Sequence, residues 1–286
     1  MFNNIDKIYS HRLRNLRIIV RLLRFAPYVR CVILNGSMAE DFPLCHPDPP
    51  AGGEGSQGFS SEILRRTAPQ NDRKRWKMKL SSDIDLLIIA KSGRIYTCRA
   101  AVLFWTALTG LKRSNNENKS HAGKFCFNYF LTEGFLTIPH DRGKEVDKYC
   151  AENYSKSILL WGDEKLFDKY MKINWKWMKH YLPQISNLKS QNYISKTEKL
   201  RDCHCEESAT RQSKFVYSRD SYIHSRSAMQ YAIEKLLSGN CGNRIENLFK
   251  TIQIARINKD PAVKKYPEYI VYTDRELRFH LPKEKG

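Results

Sequence analysis

Two short stretches carry residue types suited to phosphate and metal chemistry: Gly36-Ser37, and the carboxylate pair Asp83 and Asp85 in Ser82-Asp83-Ile84-Asp85. In an extended strand, residues two apart point to the same face. Asp83 and Asp85 therefore stand side by side, about 7 Å apart along the strand. Two like charges at that spacing repel, and Leu86, Leu87, Ile88 and Ile89 give no compensation. A hard divalent cation, Mg2+ or Mn2+, is the natural remedy, because it takes carboxylate oxygens and completes its shell with water and phosphate. A glycine turn lets backbone approach a phosphate, and its amides together with the Ser37 hydroxyl can donate to phosphate oxygens. Ser82 adds a hydroxyl just before the pair. These parts suit in-line attack by a hydroxyl on the α-phosphate of a nucleoside triphosphate, with ATP the expected one.

The elements that must position these residues are legible from periodicity. Residues 6–25 place Ile8, Leu13, Leu16, Ile19, Val20, Leu23 and Phe25 at spacings of three and four, the mark of an amphipathic helix, which Pro27 ends. Residues 30–34, Arg-Cys-Val-Ile-Leu, predict a strand that delivers Gly36-Ser37 at its end. Residues 83–90 predict a second, central strand, apolar on both faces, that delivers the aspartates at its start. A helix over 94–111 and a third strand over 124–131 follow. This order implies an α/β or α+β domain over 1–140, and α+β with a mixed sheet is the expectation.

From 45 to 76 the chain changes character, holding four of its 11 prolines and little periodicity. A loop of that length inside a compact domain is unusual, and it is read as an insertion. Beyond residue 140 the pattern turns mostly helical, with candidates at 143–160, 163–181, 226–238 and 242–257 and a strand-like Tyr269-Ile270-Val271-Tyr272. Residues 141–286 are therefore expected to form a mostly helical C-terminal domain. It contains a second odd segment over 203–213, Cys-His-Cys-Glu-Glu-Ser-Ala-Thr-Arg-Gln-Ser.

Gly36-Ser37 followed by Ser82-Asp83-Ile84-Asp85-Leu86-Leu87 resembles the signature of nucleotidyltransferases of the DNA polymerase beta superfamily: a strand, a Gly-Ser turn, a short spacer and Asp-x-Asp opening the next strand. Here 45 residues separate Ser37 from Asp83, and removing 45–76 leaves about 13, close to the family pattern. Both odd segments resemble translated palindromic repeat elements found inside some bacterial genes. Loop-closure entropy grows only logarithmically with length, so such an insertion is compatible with folding. Residues 126–131, the aromatic stretch 170–182 and Arg278-Phe279-His280 are similar to small bacterial nucleotidyltransferase-domain proteins.

The resemblance implies transfer of a nucleoside monophosphate to a hydroxyl acceptor, with Asp83 and Asp85 as catalytic metal ligands and Gly36, Ser37 and Ser82 as nucleotide-binding residues. Many family members carry a third carboxylate on the following strand. The corresponding strand here offers Asn128, which can ligate through its carbonyl oxygen but cannot act as a base or neutralise charge. Glu133 falls past that strand. Asn128 keeps a second reading open: a catalytically degenerate nucleotide-binding protein, or an antitoxin-type protein that binds a partner.

The net charge of +19 favours polyanions, so RNA is compatible as an acceptor beside a protein hydroxyl, although the charges are spread along the chain. No apolar run approaches the length of a membrane span, and the charged first 30 residues argue against a signal peptide, so a cytoplasmic location is expected. The eight cysteines show no paired zinc-site spacing, and several lie in apolar stretches, as buried reduced thiols do. Trp161, Tyr170, Trp175, Trp177 and Tyr181 lie at helical spacing and are expected in the core rather than on a base-stacking platform.

Overall fold

The computed structural model describes residues 2–40, 83–112, 123–140, 142–182, 227–267 and 269–279. Both segments with repeat-element character, along with Ser82 and His280, lie outside these residues.

The fold is α+β, and its frame is one six-stranded mixed sheet. Helix α1 (Phe2–Leu23) leads into β1 (Val29–Asn35) and the short helix α2 (Gly36–Glu40). Then come β2 (Ile84–Ala90), α3 (Ile95–Leu108) and β3 (Phe125–Thr132). Next are α4 (Lys144–Tyr154), β4 (Ile158–Gly162) and α5 (Glu164–Met178). The chain finishes with α6 (Ala228–Leu236), α7 (Gly239–Ile257), α8 (Pro261–Lys265), β5 (Ile270–Tyr272) and β6 (Glu276–Phe279). The strands lie in the order β4-β1-β2-β3-β6-β5. Among the described strands only the β2–β3 pair, joined through α3, is parallel.

The central strands are mostly apolar because both sheet faces are covered. On one face, Val32, Leu34, Leu86, Ile88 and Phe130 pack with Leu16, Ile19 and Leu23 of α1 and Ile95 and Val102 of α3. On the other, Ile33, Leu87, Ile89 and Leu131 meet Cys150, Ala151 and Tyr154 of α4 and Phe167, Tyr170 and Met171 of α5. Each such aliphatic side chain contributes about 1.5–3 kcal/mol by leaving water. The Asp163 carboxylate starts α5 by accepting from Leu166 N at 3.2 Å.

The two stretches expected as separate domains share this sheet. Strands β4, β5 and β6 all come after residue 140, and β4 and β6 flank β1 and β3. The helix expected to reach residue 160 ends at Tyr154, and Ile158–Gly162 is strand β4. Buried polar contacts bind the late helices to the early ones. Glu234 of α6 accepts from Arg30 Nη1 at 2.9 Å, Arg30 Nη2 at 3.1 Å and Tyr28 N at 2.8 Å. Glu246 of α7 accepts from Tyr96 N and Thr97 N, both at 2.9 Å. It thereby caps α3, whose own N-cap residue, Arg94, makes no side-chain capping bond.

Candidate active site

The end of β1 and the start of β2 meet because the two strands pair antiparallel with Asn35 opposite Asp85. Gly36 follows directly, at φ +71°, a left-handed conformation that glycine adopts without the penalty a Cβ brings. The space is closed as well: a Cβ on Gly36 would lie 2.8 Å from Asp85 Oδ2. Two motif halves 45 residues apart in sequence are thus brought into contact. Of the residues expected to bind phosphate, Gly36 lies against Asp85, whereas Ser82 and the side chain of Ser37 lie outside the described residues.

The parallel pairing of β3 with β2 sets Cys126 opposite Asp85. One ligand atom each from Asp83, Asp85 and Cys126 lies within 4.8 Å of the others. The aspartates are half-buried, while Cys126 is only 3 % exposed. By strand alternation Asp83 and Asp85 share the face of Leu87 and Ile89, beneath α4.

In the strand register Cys126, not the expected Asn128, stands opposite Asp85. Asp85 pairs with Cys126 but Leu87 pairs with Tyr129, so β3 carries one extra residue across that interval, a β-bulge. Asn128 falls inside the bulge, and its side chain is outside the described residues. Sequence alternation puts 126 and 128 on one face without choosing between them; the inter-strand register chooses. Cys126, flanked by Phe125 and Phe127, carried no signal beyond that of a buried thiol. Glu133 is at the far end of β2, where its amide donates to Ala90 O at 2.9 Å and its carboxylate lies 3.5 Å from Arg30 Nε.

Neighbouring elements hold the site. The buried Arg12 of α1 donates from Nη2 to the Asp83 carbonyl at 3.2 Å, fixing the chain where it enters β2. The Ser157 hydroxyl lies between Asn35 Oδ1 and the Tyr154 carbonyl, tying the end of β1 to the α4–β4 turn; with one proton, it donates to one at a time. Burial pushes the Tyr154 phenol well above its usual range, and the nearby Asp85 charge adds to this. Tyr154 therefore stays protonated.

The donor set suits a divalent cation. Oxygens bound to one Mg2+ at 2.0–2.1 Å stand about 3–4 Å apart, and Mg2+ needs only one or two carboxylates when phosphate and water supply the rest. The 4.8 Å limit on the spread of the ligand atoms is compatible with that after small side-chain rotations. Trp161, Tyr170 and Trp177 are buried in the core, with Trp175 and Tyr181 packed partly buried against it, so these aromatics form no open stacking platform. Among the described residues, no helix is long and apolar enough to cross a membrane. Comparison with known proteins finds no matching family, no matching curated protein and no matching solved structure.

Proposed function

We propose that the protein is a metal-dependent nucleotidyltransferase that moves a nucleoside monophosphate from a triphosphate, with ATP the expected donor, to a hydroxyl acceptor. The observation that carries this reading is the meeting of Gly36 with Asp85 beside Asp83, which gathers a glycine and two carboxylates where β1 ends and β2 begins. Asp83 and Asp85 would hold Mg2+ or Mn2+. The bound ion would assist deprotonation of the acceptor hydroxyl and offset charge on the departing pyrophosphate. Gly36 lets the Asp85 carboxylate lie against the backbone at the end of β1, and Gly36, Ser37 and Ser82 are the residues assigned to the phosphates. Arg12 and the Asn35–Ser157 contact keep the two strands in place while the acceptor oxygen bonds to the α-phosphorus and the bond to pyrophosphate breaks. With a net charge of +19, RNA is a compatible acceptor beside a protein hydroxyl.

Asp83→Asn tests the reading. It should abolish transfer of labelled nucleotide while leaving the thermal melting transition in place; undiminished transfer would overturn the assignment. One observation favours the second reading, a nucleotide-binding or antitoxin-type protein without transfer: the residue opposite Asp85 on β3 is a thiol, not a carboxylate. Calorimetric titration with ATP and Mg2+, run beside a pyrophosphate-release assay, separates the two. Binding without release supports the second.

A further inference from the structure

We infer that Cys126 is the third metal ligand of this site, and that its thiolate turns the site toward borderline cations such as Co2+ or Zn2+ and away from Mg2+. This rests on the reading of Asp83 and Asp85 as metal ligands. Ligand atoms of Asp83, just before β2, of Asp85 on β2 and of Cys126 on β3 converge within 4.8 Å, and the register Asp85↔Cys126 places the sulfur there. Cys126 is almost wholly buried, while Asp83 and Asp85 are half-buried. Mg2+ demands oxygen ligands and has little affinity for sulfur. Softer first-row ions and Zn2+ accept a thiolate beside carboxylates, with metal–sulfur bonds near 2.3 Å for Zn2+. On binding, the S–H proton leaves to solvent and the sulfur lone pair forms the metal bond, so no oxidation is involved. The site then carries three negative charges, two from carboxylate and one from sulfur.

Cobalt spectroscopy on the full-length protein tests this without any activity measurement. Titration with Co2+ should produce visible ligand-field bands together with a sulfur-to-cobalt charge-transfer band in the near ultraviolet. Cys126→Ser should lose the charge-transfer band, keep ligand-field bands and bind Co2+ at least about tenfold more weakly, a change of about 1.4 kcal/mol. Cys126→Asp should also lack the charge-transfer band and should gain affinity for Mg2+ relative to Zn2+, which a variant that merely unfolds would not do. Ligand-field bands without charge transfer in the unaltered protein would overturn the thiolate and leave the carboxylate site standing. Absence of Co2+ binding would overturn both. Cys203-His204-Cys205 is the internal control: a charge-transfer band that survives Cys126→Ser and vanishes in Cys203→Ser/Cys205→Ser would overturn the inference.

Discussion

Gly36 and Asp85 are in contact across the β1–β2 pair, so close that no side chain larger than hydrogen fits at position 36 without displacing Oδ2 of the aspartate. Gly93 shares the left-handed backbone, φ +72° against +71°, but has nothing within 4 Å of an added Cβ. Alanine at either position meets the same conformational penalty of about 1–2 kcal/mol. Only Gly36→Ala adds a collision with a proposed metal ligand. Gly36→Ala should therefore melt lower than Gly93→Ala and lose most nucleotide transfer, whereas Gly93→Ala keeps it. Equal activity in the two variants would show that the contact is irrelevant to the site.

Glu246 offers a second test, on stability. Its carboxylate supplies the cap that α3 lacks, bonding Tyr96 N, Thr97 N and Thr97 Oγ1 from about 150 residues away. Charge-assisted bonds of this kind contribute about 1.5–3 kcal/mol where they leave buried donors if removed. Glu246→Ala should lower unfolding free energy by about 2–3 kcal/mol in urea titration, and Glu246→Gln by less, since its amide oxygen still accepts. A loss under about 0.5 kcal/mol, the range of neutral surface changes, would show that water replaces the cap.

Glu276 sets an acid-side pH dependence. Burial raises its carboxyl above the ordinary 4.5, and Arg278, Tyr129 and Arg142 only partly offset this. A folded-state value above the unfolded one means that the folded protein holds the proton more tightly. The contribution is then full below the unfolded value and declines as pH rises through the raised one. Glu276→Gln cannot ionise, so relative to the unaltered protein it should gain stability as pH climbs through that window. Parallel denaturation midpoints for the two proteins across the window would contradict the shift.

Thiol reactivity should divide the described cysteines sharply. Desolvation pushes Cys31 up to about 12 and raises Cys98 and Cys150 as well, while Cys241 is exposed. At pH 8 the thiolate fraction of Cys31 is roughly one in ten thousand, and the thiolate is the reactive form. Iodoacetamide on the folded protein should modify Cys241 within minutes and reach Cys31, Cys98 and Cys150 only in denaturant, as peptide mapping by mass spectrometry would read. Fast native labelling of Cys31 would mean that β1 opens readily.

Strands β1, β2 and β3 were legible because their apolar runs end at turn-forming or charged residues, and α1 because its apolar positions repeat at helical spacing. Strand β4 was not: Ile-Leu-Leu-Trp suits a buried strand or a helix end equally, and only pairing with β1 decides. Strand β6 was hidden for a different reason. Glu276 and Arg278 are charged yet buried, 3.6 Å apart, so the segment lacks the apolar signature of a covered strand. At the site, the order of glycine and aspartates was visible in the sequence, and the fold joins them. Which residue of β3 faces Asp85 was not visible, because one bulge residue decides whether 126 or 128 stands opposite it.

The strand order has a consequence for how the chain must be assembled. Strand β3 is bordered by β6, and β1 is held through Tyr28 and Arg30 to Glu234, contacts that span 206 and 204 residues. Contacts so distant in sequence form slowly, since a long loop must close before they are made. A nascent chain that has emerged only to β3 presents an open sheet edge to whatever strand it meets. Fragments ending near residue 140 should therefore aggregate rather than fold, and the whole protein should depend on chaperones during synthesis more than its length alone suggests.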